Sequence, residues 1–165
     1  MWFSAVDGPV KVYARRLHLV WNGTPAASAY PQQESEDLRG THLLLLGFEP
    51  EERLDLCRYL KHERAFVSWS SEVWKLPADP QGCSAFDAII VNLDAFEDLD
   101  TGVDTLLFFR LNNPSTAIVL VSTRVNRDDF GDHRRAICDA TLRSPATPDR
   151  LVAAVKHALW RRRPR

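Results

Sequence analysis

The chain of 165 residues is poor in cysteine and methionine and has no long apolar run. Its three cysteines, Cys57, Cys83 and Cys138, are odd in number and lack CxxC spacing, which argues against a disulfide framework or a zinc site and indicates reduced thiols. The longest apolar runs fall far below the roughly 20 residues of a membrane-spanning helix, and the amino terminus lacks the basic-then-apolar order of a signal peptide. We therefore expect a soluble cytoplasmic protein with no membrane partner.

Neither sign of charge dominates, because 21 Lys and Arg residues face 22 Asp and Glu residues. The basic end, Arg161 to Arg165, is typical of a solvated helix terminus that complements the negative end of its helix. The five histidines are scattered singly, none at metal-ligand spacing, and a glycine-rich phosphate loop is missing. We therefore expect neither a cofactor nor a nucleic-acid partner.

Composition divides the chain into three regions. Residues 23–40 are small, polar and proline-containing, which predicts a linker. The preceding residues 1–22 form an N-terminal extension whose apolar positions fit either a helix or two short strands. This extension carries enough apolar surface to need a partner, either the main domain or a second subunit. Residues 41–163 contain the remaining patterned sequence and are predicted to form one domain.

Apolar runs of strand length alternate with helical patterns through that domain. Strands are predicted at 42–48, 65–70, 86–93, 116–122 and 140–142. Helices are predicted at 49–63, 101–113 and 147–163, with a weaker helix at 127–139 and at most a short one at 71–82, which two prolines interrupt. This order predicts an α/β fold, a five-stranded parallel doubly wound sheet of flavodoxin-like size that follows an N-terminal extension.

Ligands and reactive groups of such folds collect at the carboxyl ends of the strands. Here those ends carry Gly47 and Phe48, Asn92 to Asp94, Ser122 and Thr123, and residues 143–145. They provide no Ser-His-Asp, Cys-His or paired-carboxylate constellation, so we do not expect an enzyme.

Four stretches at these positions carry a resemblance to a known family. They are "LLLLGFEPEERLDL", "FDAIIVNLD", "AIVLVST" and "CDATLRSPATPDRLVAAVKHAL". Through them, residues 41–160 resemble the receiver domain of bacterial two-component response regulators. The resemblance implies a receiver-like fold and a phosphorelay pocket made of two acids, an acceptor aspartate, a hydroxyl and a lysine. In that pocket the acids and the aspartate hold Mg²⁺, and the hydroxyl reorients onto the bound phosphoryl group.

The resemblance places degenerate residues at most of these pocket positions. The acidic pair falls on Gly47 and Phe48, which cannot bind a cation, and Phe48 would put an apolar ring where metal and water belong. The acceptor falls on Asn92, whose amide cannot form a stable acyl phosphate. The hydroxyl remains as Ser122, and the lysine position falls on Ser144 before Pro145. The resemblance therefore implies a pseudo-receiver that does not accept phosphate.

Asp94 is the alternative acceptor. It lies two residues after Asn92, so strand geometry places the two side chains on the same side, and a slipped register would bring Asp94 to the acceptor position. The competing interpretation makes Asp94 part of a solvated acidic loop over residues 94–100.

The resemblance implies a protein-interaction or dimerisation module in signal transduction or transcription regulation, and we expect a homodimer or a signalling partner. Receivers usually pair through the face made by their fourth helix, fifth strand and fifth helix. That face would use Arg134, Ile137, Thr141, Leu142, Arg150, His157 and Arg161. The alternative is a nucleotide or second-messenger sensor in the strand-end cleft, with phosphates bound by Arg124, Arg127, Arg134 and Arg135.

Overall fold

A computed structural model describes residues 38–73, 76 and 85–163. The predicted extension, nearly all of the linker and most of the short helix at 71–82 lie outside the described residues. The elements in chain order are β1 (His42–Leu46), α1 (Pro50–His62), β2 (Phe66–Ser70), β3 (Ala88–Asn92), a 3-10 turn (Leu93–Ala95), α2 (Leu99–Asn112), β4 (Ala117–Ser122), β5 (Ala140–Arg143) and α3 (Pro148–Arg162).

The five strands form one parallel sheet in the order β2-β1-β3-β4-β5, which confirms the predicted fold class. Helices α1 and α3 pack on one face of this sheet and α2 packs on the other. The order reverses between β1 and β3, so the carboxyl ends of these two strands lie at the switch point where parallel α/β sheets usually bind ligands.

The apolar runs of β1, β3 and β4 form strands because both of their faces are buried. Along β1, Leu43 and Leu45 pack in the cluster with α1 and α3, whereas Leu44 and Leu46 pack in the cluster with α2. The same alternation continues along β3 and β4. Two apolar layers therefore hold the sheet between its helices and fix the ends of the strands relative to one another.

Local signals set the helix starts. Pro50 occupies the first turn of α1, where its missing N–H costs no hydrogen bond. Asp98 caps α2 by accepting a hydrogen bond from the Thr101 N–H at 2.7 Å. The folded core also begins earlier than the predicted domain boundary, since Leu38, assigned to the linker by the sequence, is only 1% exposed.

The predicted helix at 127–139 is wrong. Residues 133–137 form turns, and Asp129 instead pairs with Thr141 of β5 in an isolated antiparallel bridge. Both backbone hydrogen bonds of that bridge measure 2.8 Å. Locally, the Gly131 N–H binds the Asp129 carboxylate at 2.8 Å, a side-chain-to-backbone contact that competes with helical pairing.

Two arginines of the basic carboxyl terminus, Arg161 and Arg162, are partly buried rather than solvated. The fully buried Asp139, just before β5, accepts hydrogen bonds from Arg110 of α2 at 2.7 Å and from the Ile118 N–H at 2.9 Å. Arg162 of α3 lies 2.6 Å from the other oxygen of the same carboxylate. This charged cluster joins α2, α3 and the sheet at the amino ends of β4 and β5.

Two of the cysteines are described, and both are free thiols. Cys57 is partly buried and Cys138 is fully buried, and burial raises the pKa of the Cys138 thiol to about 11. Cys83 lies outside the described residues. Among the described helices, none is long and apolar enough to cross a membrane.

Candidate functional site

Four of the predicted pocket positions meet at the carboxyl edge of the sheet. The Asn92 side-chain amide donates to the Gly47 carbonyl at 3.0 Å, which connects the ends of β3 and β1. The Ser144 N–H donates to the Ser122 carbonyl at 2.9 Å, which connects the ends of β5 and β4. These contacts place Gly47, Asn92, Ser122 and Ser144 at one edge, as the resemblance implied.

Gly47 occupies a position that has no room for a side chain. Its φ is +75°, in the left-handed region that glycine favours. A Cβ added here would lie 2.5 Å from the Val73 Cγ1 and 2.7 Å from the Ala95 Cβ. The position that the resemblance assigned to the first acid therefore has no acid, and its backbone conformation and its neighbours leave no room for one.

Phe48 follows Gly47 and is only 3% exposed. Its side chain belongs to the apolar cluster beneath α1 and α3, together with Leu56 and Leu151. The prediction of an apolar ring in the metal-binding cleft is corrected in this respect, because Phe48 packs in the core. The position that the resemblance assigned to the second acid is therefore a core position.

Asn92 ends β3 in the expected register, opposite Val121 of β4. Besides the bond to Gly47, its side-chain oxygen accepts a hydrogen bond from the Asp94 N–H at 3.1 Å and so caps the 3-10 turn. Donor and acceptor of the amide are both used, and an ionised aspartate could replace the acceptor but not the donor.

Asp94 makes the main polar contacts of the site. Its Oδ1 accepts a hydrogen bond from the Ser122 hydroxyl at 2.7 Å, and its Oδ2 accepts one from the Thr123 N–H at 2.7 Å. The Arg124 guanidinium lies 3.7 Å from Oδ1. The side chain of Asp94 is 23% exposed, so it is not part of a freely solvated acidic loop. The sequence placed Asp94 beside Asn92, put Thr123 at a strand end and offered Arg124 to a phosphate-bearing ligand, but it did not predict that Thr123 and Arg124 contact Asp94.

These contacts determine the charge state of Asp94. Burial by itself raises the pKa of this carboxyl, but the hydrogen bonds from Ser122 and Thr123 and the nearby Arg124 outweigh burial and lower the pKa below its ordinary value. Burial, with the negative charges of Asp94 and Glu49, raises the pKa of the neighbouring Glu52. In the described part of the chain, no group of three or more His, Cys, Asp or Glu side chains is arranged to hold a metal ion.

The lysine position leads into the loop between β5 and α3. Ser144 is partly buried and precedes Pro145 through a cis peptide bond. Arg150 of α3 donates to the carbonyls of Pro145 and Arg143, at 2.9 Å each, and forms a two-point ion pair with Asp128. The charge of Arg150 is therefore committed to Asp128 and to the loop itself.

The predicted interaction face does not form as proposed. Ile137, Thr141 and Leu142 are each at most 1% exposed. Leu142 packs in the apolar cluster with α3, Ile137 packs in the cluster with α2, and Thr141 pairs with Asp129 in the isolated bridge. These three side chains cannot contact a partner, and their assignment to the face is corrected.

The remaining residues of that face have contacts within the domain. Arg134 lies 3.7 Å from Asp129, and Arg161 donates to the Phe130 carbonyl at 2.9 Å. His157 is partly buried against the Phe130 ring, with ring centroids 5.2 Å apart. Burial, the main effect, lowers the pKa of His157. Arg150 is held by the loop contacts described above. These side chains hold the segment before β5 against α3.

The arginines that the sequence offered to a phosphate-bearing ligand also have acidic neighbours. Arg124 faces Asp94, Arg134 faces Asp129, and Arg135 lies 3.9 Å from Asp132 on the surface. Arg127 is exposed beyond β4. The charges of Arg124, Arg134 and Arg135 are thus matched by carboxylates of the same chain, which weakens the case for a nucleotide sensor.

No protein-family model matches this chain, and no curated protein matches it in sequence. Solved structures do resemble it. The receiver domain of the TMAO respiratory system response regulator TorR is 25% identical, with a TM-score of 0.59 over 73% of this chain and 98% of that domain. A CheY-like receiver domain protein from Methanospirillum hungatei is 14% identical, with a TM-score of 0.60 over 74% of this chain and 96% of that one.

A third similar structure comes from a protein of Burkholderia pseudomallei described as pilus assembly-related. It is 18% identical, with a TM-score of 0.61 over 78% of this chain and 96% of that chain. The sequence-based resemblance is therefore confirmed at the level of the fold, and the described part of the chain is a divergent receiver-like domain.

Proposed function

We propose that this receiver-like domain is an atypical, phosphorylation-independent module for protein interaction or dimerisation in bacterial signal transduction or transcription regulation. A signalling role is consistent with the receiver fold. The observation that carries the proposal is the commitment of the acceptor position to structure: the Asn92 amide joins β1 to β3 and caps the following turn. The proposal gives the domain a binding role in the cytoplasm rather than a catalytic one.

The chemistry of the pocket supports phosphorylation independence. An amide oxygen at Asn92 is a poor nucleophile and gives no stable acyl phosphate. Gly47 leaves no space for a metal-binding side chain, and Phe48 is buried in the core. The Ser122 hydroxyl, which would bind a phosphoryl group, donates to Asp94. Acceptor, metal ligands and hydroxyl are thus all altered or engaged.

The edge of the sheet at β2 supports an interaction role. In the described part of the chain β2 is an edge strand, and unpaired edge strands readily accept another chain. Phe66 and Trp69 are 62% and 53% exposed and flank this edge, one on each face of the strand. The Arg53 guanidinium stacks 3.6 Å from the centre of the Trp69 ring, and Leu54, the next residue along α1, is 61% exposed. Exposed aromatic and arginine side chains are typical of interface centres.

Phosphorylation independence is tested with a small-molecule phosphodonor and Mg²⁺, followed by intact-mass measurement. We expect no phosphoryl adduct on this protein under conditions that fully modify a receiver with an intact acidic pocket. An adduct that hydroxylamine removes, and that maps to Asp94, would make Asp94 the acceptor and refute the proposal.

The interaction role is tested by sedimentation velocity over a range of protein concentrations, alone and with candidate partners that include pilus-assembly proteins. If the β2 edge carries the interaction, replacing Phe66 and Trp69 by serine should abolish the complex. Leu111, 74% exposed on α2, supplies the matched control, since Leu111→Ser removes exposed apolar surface elsewhere. Equal loss in both variants, or in neither, contradicts the assignment to β2, and assembly of the protein alone identifies a homodimer.

A further inference from the structure

The end of β4 presents three consecutive groups suited to an anion. They are the Ser122 hydroxyl, the Thr123 N–H and the Arg124 guanidinium. Each carboxylate oxygen of Asp94 receives one hydrogen bond of 2.7 Å from this set, and the guanidinium stands 3.7 Å from Oδ1. Hydrogen bonds to an ionised acceptor are shorter and stronger than neutral ones, so this arrangement favours a bound negative charge.

The donors of this set are positioned by the fold. Ser122 is fully buried at the end of a central strand. Its oxygen accepts a hydrogen bond from the Arg124 N–H at 3.0 Å, which leaves the hydroxyl hydrogen for Asp94. On the other side, the Asn92 cap on the 3-10 turn fixes where the carboxylate enters. The end of β4 therefore positions the donors, and the capped 3-10 turn positions the Asp94 carboxylate.

We propose that the end of β4 is an anion-binding site whose resident ligand is the protein's own Asp94 carboxylate. A free carboxylate anion binds there only when that side chain is absent. The inference rests on the proposed function and deepens it, because a site already filled by a side chain needs no phosphoryl group to hold the end of β4 in its bound arrangement. Its ligand class is a planar anion with two oxygens, matched to the side chain that occupies the site.

The test is chemical rescue of Asp94→Ala in the full chain. The ¹⁵N-labelled variant is titrated with sodium acetate, against sodium chloride of equal ionic strength, and the Thr123 amide resonance is followed. We expect a saturable acetate-dependent shift in Asp94→Ala and none in the wild type. Adding Ser122→Ala should weaken acetate binding by about tenfold or more, since a hydrogen bond to a charged group is lost.

Two results overturn the inference: a folded Asp94→Ala variant with no saturable acetate response, or a wild-type protein that responds equally. If Asp94→Ala does not fold, Asp94→Asn keeps the shape and removes the charge. Its Thr123 amide should exchange with solvent about tenfold faster than in the wild type, and unchanged exchange overturns the inference. This result is distinguishable from a failure of the proposed function, because that failure would be a phosphoryl adduct on the wild-type protein.

Discussion

Replacing Gly47 by alanine should destabilise the domain strongly. A non-glycine residue in the left-handed region costs roughly 1 to 2 kcal/mol, and Gly47 has a φ of +75°. The new Cβ would also meet Val73 Cγ1 at 2.5 Å and Ala95 Cβ at 2.7 Å. Val73 can rotate, but the Ala95 Cβ moves only with its backbone, so overpacking adds about 1 to 3 kcal/mol. We expect a total loss of about 2 to 5 kcal/mol in the free energy of unfolding.

Gly40 provides a matched control for the backbone contribution. Its φ is +77°, but a Cβ there would meet nothing within 4 Å. Gly40→Ala should therefore cost only the roughly 1 to 2 kcal/mol of the conformation. Urea denaturation of both variants measures the difference in their free energies of unfolding, and unchanged m-values show that the difference is one of stability. If Gly47→Ala proves no more destabilising than Gly40→Ala, the steric argument that Gly47 leaves no room for a side chain is refuted.

Three further predictions concern the neighbouring polar groups. Asn92→Asp should lower stability by about 1 to 3 kcal/mol in urea denaturation, because a carboxylate cannot donate to the Gly47 carbonyl; wild-type stability would contradict this. Asp139→Asn should cost about 3 to 5 kcal/mol in thermal or urea denaturation, since it leaves buried arginines without a counter-charge, and a loss below about 1 kcal/mol would contradict it. By ¹³C NMR, Ser122→Ala should raise the pKa of Asp94. In the wild type the Ser122 hydrogen bond lowers the pKa of Asp94 in the folded state. The stability that this bond contributes is therefore complete above the unfolded pKa of about 3.9, and it is lost as pH falls through the folded pKa. Equal pKa values of Asp94 in the wild type and in Ser122→Ala would contradict this prediction.

Local patterning was enough to predict most of the fold. The buried strands β1, β3 and β4 are continuous apolar runs, and only a sheet covered on both faces explains such runs at this length. The start of α3 was also predictable from the sequence, because Pro148 lies at its first position. Strand ends differ from the predictions by one or two residues, since pairing with neighbours rather than propensity decides where a strand stops.

The segment before β5 could not be predicted because its partners are distant in sequence. Asp129 pairs with Thr141, and the Asp128 carboxylate binds Arg150, 22 residues further on. A helical pattern at 127–139 competes with these contacts, and the glycine in its middle weakens the helix. The predicted interaction face failed for the same reason, since it assumed a helix that the chain does not form.

At the site, the sequence could show which acids are missing but not why they cannot simply be restored. The φ of Gly47 and the double use of the Asn92 amide are properties of the folded backbone. The role of Asp94 was visible only as a side chain on the correct side of a strand end. Its donors come from a strand 28 residues away, so the contact required the sheet order before it could be recognised.

At the amino ends and at the carboxyl ends of the strands, a carboxylate is bound by donors from the same chain. At the amino edge Asp139 binds Arg110 and Arg162, and at the carboxyl edge Asp94 binds Ser122 and Thr123. In a phosphorylated receiver the donors at the carboxyl edge engage only after an anion arrives. Here the anion is covalently part of the fold, so a ligand that uses the Ser122 and Thr123 donors must displace a contact rather than add one.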